Sequence, residues 1–338
     1  MSVGIDIGSK TIKIVELSKE GKVWRLRASG AVGYKGISPE YSKDDKELAS
    51  VSEALKKLHK EAKISSKDVV ISLPEQSVYT RTIKFPFLTD SEIASAVRWE
   101  AEQYIPIPAS EAVIQHQVIE KRDDVSPPFV VVLLVAAPKE LVASYAKVID
   151  MAGLNLSAVE TELISIVRSL APIDQTVLIL DLGAKSTNIA ISKNQSLVFS
   201  RSISTAGEAF TRAISKGLGI EERQAEEYKK AYGLSQSHVE GKIKNALEPL
   251  IRIVADEIKK AIHYYQAEEK GETPSSVILS GGSSNIPEIS SVFTKILGIE
   301  VLVGNPFSSI EVDQEAVKAL SGYAPLYSIA LGLAMREL

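Results

Sequence analysis

One short phrase occurs twice in the chain, about half its length apart, and it constrains the fold more than any other feature. The first copy is Asp6-Ile7-Gly8-Ser9-Lys10-Thr11 and the second Asp181-Leu182-Gly183-Ala184-Lys185-Ser186, sharing the pattern D-[IL]-G-x-K-[ST]. Val3 and Ile5 precede the first copy and Ile12, Ile14 and Val15 follow it. Val177, Leu178, Ile179 and Leu180 precede the second, with Ile189, Ala190 and Ile191 after it. Each copy therefore reads as strand, tight Gly turn, strand. A single such hairpin is a weak signal. Two in the same strand context point to duplicated halves rather than to a solenoid. Facing each other, they would form a clamp, with backbone N–H groups toward one chain of phosphates and the two Asp carboxylates toward one metal ion.

The 338 residues leave room for two cores. Lys plus Arg total 39 and Asp plus Glu 43, a net charge of −4 that argues against nucleic acid as the main partner. The absence of cysteine excludes disulfides, a thiolate metal site and a Cys nucleophile. His59, His116, His238 and His263 are scattered without metal-ligand spacing and read as structural or surface residues. There is no basic-then-apolar leader, and the longest apolar run, 129–137, is too short to span a bilayer as a helix. It suits a strand buried on both faces. The expectation is a cytoplasmic protein.

Along the chain, the first hairpin leads to a third strand at 23–34. A helix at 42–62 follows, striped by Leu48, Val51, Leu55 and Leu58, then a strand at 69–73, giving β-β-β-α-β. Strand 81–85 opens a different segment. Thr89-Asp90-Ser91-Glu92 has capping-box spacing, and the helix it starts carries Ile93, Ala96, Val97, Ala101 and Tyr104 on one face. Strands at 113–120 and 129–136 and a helix at 138–151 complete a β-α-β-β-α-β order that would suit an inserted α+β subdomain. Residues 160–170 read as a connecting helix. After the second hairpin come a strand at 197–204, helices at 208–216, 225–232 and 248–267, and a strand at 277–280. A small-residue loop, Gly281-Gly282-Ser283-Ser284-Asn285, leads to a helix at 287–297; strand 301–303 and a terminal helix at 326–335 finish the chain.

Two such halves, each opening on a D-x-G hairpin, with a later strand-Gly-Gly-helix loop, resemble the actin-like ATPase superfamily over nearly the whole chain. The expected fold is α/β, a duplicated ribonuclease H-like (actin-like) fold with an FtsA-type inserted α+β subdomain, 1C. The segment Arg98-Trp99-Glu100-Ala101-Glu102-Gln103-Tyr104-Ile105-Pro106 resembles the R-W-E-A-E-x-Y-I-P run of the PilM family, FtsA-like cytoplasmic components of type IV pilus assembly. The resemblance implies subdomain 1A at 1–80, 153–175 and 326–338, and subdomain 1C at 81–152. It implies 2A at 176–206 and 272–325, and helical 2B at 207–271.

The same resemblance implies ATP and Mg²⁺ as cofactors. Asp6 and Asp181 match the metal positions. Gly8, Ser9, Lys10, Thr11 and Lys13 match the first phosphate loop, and Gly183, Ala184, Lys185, Ser186 and Thr187 the second. Gly207 accompanies them, and Gly281, Gly282 and Asn285 match the adenosine motif. Glu226 and Lys229 match the helix flanking base and ribose, although their spacing alone equally suits a surface ion pair. Lys10 could equally be a solvated turn residue. Glu160, Thr161 and Glu162 are candidates to orient a water, or alternatively to cap and charge a helix N-terminus. The implied partner is the N-terminal cytoplasmic peptide of a PilN-like inner-membrane protein, entering a groove flanked by Arg98, Trp99, Glu102 and Tyr104. Pilus motor ATPases and self-association are further implied contacts; nucleic acid and direct membrane insertion are not, since the chain stops just after the closing helix. Recruitment to the inner face of the membrane would go through the partner. With no strong base or arginine finger in the chain, hydrolysis is expected to be slow or absent. An FtsA-like division protein and an actin-fold small-molecule kinase are the alternatives.

Overall fold

A computed structural model describes residues 1–42, 44–236, 241–268 and 270–337, so His238 lies outside the described residues. The first half runs β1 (Ser2–Ile7), β2 (Thr11–Glu20), β3 (Val23–Gly33), α1 (Asp45–Glu61), β4 (Asp68–Leu73), β5 (Tyr79–Pro86), α2 (Asp90–Tyr104), β6 (Ala112–Arg122), β7 (Phe129–Pro138), α3 (Lys139–Met151), β8 (Asn155–Thr161) and α4 (Glu162–Leu170). The second runs β9 (Thr176–Leu182), β10 (Thr187–Lys193), β11 (Ser196–Ile203), α5 (Gly207–Leu218), α6 (Glu222–Tyr232), α7 (Lys242–Ala267), β12 (Ser276–Ser280), α8 (Ile289–Leu297), β13 (Glu300–Val303), α9 (Gln314–Leu320) and α10 (Ser328–Ala334).

The described strands make three sheets, ordered β3-β2-β1-β4-β8, β11-β10-β9-β12-β13 and β5-β7-β6. The first two have the same plan. An antiparallel hairpin meander joins a parallel strand at its first member, β1 with β4 and β9 with β12. Strands β1, β2, β9 and β10 are buried almost throughout, which is why they read as continuous apolar runs. The third sheet packs α2 through Ile93, Val97 and Ala101 against Val130, Val132 and Leu134. Helix α2 starts with the expected capping box, in which the Thr89 N–H donates to Glu92 Oε2 at 2.8 Å.

Four details depart from the sequence reading. Residues 160–170 are not one helix. Thr161 ends β8 and its hydroxyl caps α4 by accepting from the Ile164 N–H, so β8 becomes the fifth strand of the first sheet. Tyr104 does not join the buried face of α2: it is 51% exposed, with the Arg81 guanidinium 3.8 Å from its ring centroid. Helix α7 begins at Lys242 and carries Pro249 inside it. The buried residues Ile243 and Leu247 extend its apolar stripe a turn earlier than Pro249 alone would suggest. Helix α3, assigned to the inserted span 81–152, instead packs its Leu141, Tyr145, Val148 and Ile149 with Val51, Leu55 and Leu58 of α1 in the first-sheet core. The layer over β1 and β2 lacked a partner for α1, and α3 supplies it.

Helix α10 closes the first half from a great distance in sequence. A Cβ on Gly4 of β1 would lie 2.1 Å from the Ala330 carbonyl oxygen, and one on Gly332 would lie 1.9 Å from that of Ser165 in α4. The helix is thus inserted at backbone contact between strand and helix, a distance that only glycine allows.

Candidate functional site

The two halves enclose a cleft of about 800 Å³, lined from one side by the first hairpin and from the other by the second, a volume within the usual range for small-molecule sites of roughly 300–1,000 Å³. Both turns close the same way. The Gly8 N–H donates to the Thr11 carbonyl at 3.1 Å and the Gly183 N–H to that of Ser186 at 3.0 Å. The symmetry reaches one step further. Asp6 sits opposite Lys13 in β1–β2, and Asp181 sits opposite Asn188 in β9–β10. One register position therefore carries a cation in the first half and an amide in the second.

These groups converge. Lys13 Nζ donates to Asp6 Oδ2 at 2.8 Å, both side chains being buried. Asn188 Nδ2 donates at 3.1 Å to Glu162 Oε2, which also accepts from the Glu75 N–H at 3.1 Å. Asn188 Oδ1 in turn accepts from Ser202 Oγ. Burial, then repulsion from Asp6, pushes the Asp181 carboxyl up to about 6, while Lys13, Asn188 and Ser280 pull it back. Burial, then the charges of Asp6 and Asp181, holds Glu162 well above the usual carboxylate range. Asp6 has Lys13 as its counter-ion, and burial beside one another disfavours charging Asp181 and Glu162, so a cation in the cleft would favour their ionised forms.

The remaining candidates fall into place unevenly. Gly8, Ser9, Lys10, Thr11, Gly183, Ala184, Lys185, Ser186, Gly207, Glu226, Gly281, Gly282 and Asn285 all line the cleft. Lys10 pairs across it with Glu208 at 2.9 Å, and Lys185 lies 4.9 Å from the Tyr41 ring centroid. Gly281 has φ +81°, and a Cβ there would lie 2.7 Å from Asp181 Oδ1, so the loop rests directly on the carboxylate. Asn285 Nδ2 donates to the Gly322 carbonyl at 3.0 Å, bringing the segment around Tyr323 to the same end.

Two of the assigned residues lie away from the cleft, and a third lines it with its donors already engaged. Thr187 is fully buried and its hydroxyl donates to the Thr205 carbonyl, away from the cleft. Glu160 is outside the cleft, its carboxylate held by both Arg168 nitrogens at 2.8 Å and by Arg336 at 3.0 Å. A carboxylate so engaged is not free to orient a water. Lys229 lines the cleft, but its ammonium is buried and donates to Gly207 O, Thr211 Oγ1 and Glu226 Oε2, the last at 2.6 Å. All three of its donors are used in fixing α6 to the start of α5. Asn188 was missed; its sequence signal is its place seven residues after Asp181, matching Lys13 after Asp6.

On the inserted sheet, Arg98, Trp99, Glu102 and Tyr104 are all exposed, Trp99 to 62%. An indole that far into solvent is neither core nor interdomain packing.

Duplicated sheets, each opening on an Asp-Gly hairpin across one cleft, define the actin-like ATPase fold. The chain matches the family described as "Type IV pilus assembly protein PilM" over residues 4–338, and it belongs to that family. It is similar to the solved "PilM-PilN type IV pilus biogenesis complex", with 27% identity and TM-score 0.86, covering 99% of this chain and 98% of that one. It shares its fold with MreB 5 of Spiroplasma citri bound to AMPPNP, at 15% identity and TM-score 0.55, covering 98% and 93%. The cell division protein FtsA of Streptococcus pneumoniae is 22% identical across 88% of this chain and 74% of its own length.

Proposed function

We propose that the chain binds MgATP between its halves and serves type IV pilus assembly by holding a cytoplasmic segment of a PilN-like inner-membrane protein. The observation that carries the nucleotide reading is the paired hairpins with Asp6, Asp181 and Glu162 crowded at their base. That donor set fits Mg²⁺, a hard cation that takes carboxylate and water oxygens, with Asp6 and Asp181 as the residues that would hold it. Mg²⁺ supplies the positive charge that a triphosphate beside carboxylates requires. The turn residues with Lys10, Lys13 and Lys185 receive the phosphates. Gly281, Gly282, Asn285 and Glu226 border base and ribose, while Lys229 acts through Glu226. Glu162, oriented by Asn188 and the Glu75 N–H, is placed to orient a water. Slow or absent turnover is part of the proposal, since Glu162 Oε2 already accepts from Asn188 and from the Glu75 N–H.

The partner reading rests on the similarity to the PilM–PilN complex and on Trp99. The unit presenting it is β5, α2, β6 and β7. No described helix is long and apolar enough to cross a membrane, so membrane recruitment through this partner is part of the proposal. Two measurements test it. Calorimetry should show MgATP affinity lost in Asp6→Ala; equal affinity in the variant removes the metal assignment. Trp99→Ala should melt like the wild type yet bind a PilN-type N-terminal peptide about tenfold more weakly, which is ~1.4 kcal/mol. Wild-type affinity in a folded variant would place the groove elsewhere.

A further inference from the structure

Tyr34 is not one of the residues that line the cleft, yet it holds the first turn at two points. The β2–β3 register sets Thr11 opposite Gly33, so the residue that follows β3 falls beside the turn itself. The Tyr34 hydroxyl donates to the Gly8 carbonyl at 2.9 Å, and the Tyr34 N–H donates to the Lys10 carbonyl at 3.3 Å. Its half-buried ring packs against the apolar core of the first half, which fixes where the hydroxyl sits.

The second turn is held at its carbonyls too, by different means. The Gly183 carbonyl accepts from the Gly207 N–H at 3.0 Å, and the Ala184 carbonyl from the Glu208 N–H at 2.8 Å. Strand register puts Thr205 where the first half has Tyr34. There α5 starts almost at once, at Gly207, and its first two N–H groups take the part of the tyrosine. The first half has no helix at this point, since α1 begins only at Asp45, and the task falls to one residue.

What these bonds do follows from the peptide plane. A carbonyl and the N–H of the next residue point in opposite directions across a trans peptide. Drawing the Gly8 carbonyl toward Tyr34 therefore turns the Ser9 N–H away from Tyr34, and Ser9 lines the cleft. A carbonyl left unheld would be free to swing inward, where its oxygen repels phosphate oxygens and the N–H is lost as a donor. Glycine makes the restraint necessary, because it leaves the backbone more freedom to turn than any other residue. We propose that Tyr34 is a positioning residue for phosphate: its hydroxyl withdraws the Gly8 carbonyl and so presents the Ser9 N–H to a polyphosphate. The proposal rests on the reading of the cleft as a MgATP site and names the side chain that shapes its first phosphate turn.

The test is calorimetry with MgATP and with adenosine on the wild type, on Tyr34→Phe, and on the chain carrying para-aminophenylalanine in place of Tyr34. Phenylalanine keeps the ring in the core and the N–H on Lys10, and removes only the hydroxyl; the arylamine restores a donor at the same place. Tyr34→Phe should weaken MgATP binding by about three- to tenfold, the net worth of one hydrogen bond, and leave adenosine within about 1.5-fold. The arylamine should bring MgATP back to within about twofold of the wild type. In the wild type, MgATP should also slow hydrogen exchange of the Ser9 amide by about tenfold or more. Wild-type MgATP affinity in Tyr34→Phe overturns the proposal while leaving the cleft assignment intact. So does an equal loss for MgATP and adenosine, which marks a merely structural tyrosine, and so does an arylamine that fails to rescue. A wild type that binds no MgATP removes both readings. Should adenosine bind too weakly to measure, rescue by the arylamine decides; should Tyr34→Phe fail to fold, the Ser9 amide of the wild type decides, and no protection there with MgATP bound overturns the proposal.

Discussion

Replacing Asp181 by Asn separates a metal-holding carboxylate from a structural one. Asp181 is 6% exposed, and burial followed by repulsion from Asp6 pushes its carboxyl from 3.8 to about 6. A rise of about two units, at ~1.4 kcal/mol per unit, makes the ionised carboxylate cost the fold roughly 3 kcal/mol. The sign follows from proton binding. The folded chain holds this proton more tightly than the unfolded chain, so the associated stability is complete below the unfolded value of 3.8. It is lost as pH rises through about 6, and the penalty is constant above that. Asn carries no charge to bury. Without nucleotide, Asp181→Asn should therefore melt several degrees above the wild type at about pH 8, with the gap closing toward about pH 4. Adding MgATP should reverse the order, since ligand that binds only the folded state stabilises by mass action and the variant has lost the charge facing the metal. Thermal melting by circular dichroism at both pH values, with and without MgATP, reads all four states. A variant that melts below the wild type at about pH 8 without nucleotide would refute the argument. It would show Asp181 to be held by Lys13, Asn188 and Ser280 as a structural anchor.

Other expectations test separate parts of the site. Glu160→Gln should leave MgATP affinity within about twofold, because Arg168 and Arg336 already occupy that carboxylate; a large loss by calorimetry would restore it to the cleft. Lys229→Met should lower stability by ~1–3 kcal/mol in denaturant titration, because Glu226, Thr211 and the Gly207 carbonyl lose the buried ammonium that joins them and keep only the Thr211 hydroxyl between them. An unchanged midpoint would mean that the ammonium is not buried. Gly281→Ala should cost at least ~1–2 kcal/mol from its left-handed backbone alone, before the contact with Asp181 is counted; a melting temperature equal to wild type would contradict that geometry.

Periodicity and turn chemistry made the hairpins, α1 and the start of α2 legible, because each is set by local rules: apolar alternation, a Gly turn, a capping box. What local rules do not set was misread. Strand β8 shares its last residue with a helix cap, and Thr161 serves as both. Tyr104 follows the apolar spacing of α2, yet it lies in the last turn, where Arg81 offers its ring a cation in solvent. The site was legible as far as the repeat reached. Asp6 and Asp181 are marked by the repeat itself, whereas the place of Asn188 opposite Asp181 shows only when strand register is known. Lys229 and Glu160 had the right residue type but not the right company: each is committed to acceptors or donors far away in sequence, Gly207 for one and Arg336 for the other.

The seating of α10 between β1 and α4 has a consequence for how the chain comes off the ribosome. The cluster it completes packs its own Ala330, Leu331 and Ala334 against Val15 and Leu17 of β2. During synthesis, residues 176–303 emerge and can complete their own sheet and helices while the first half still waits for its final layer. The N-terminal half is thus made first but sealed last. Its vacant groove is the stretch of apolar surface that a nascent chain must keep from other partners until α10 arrives.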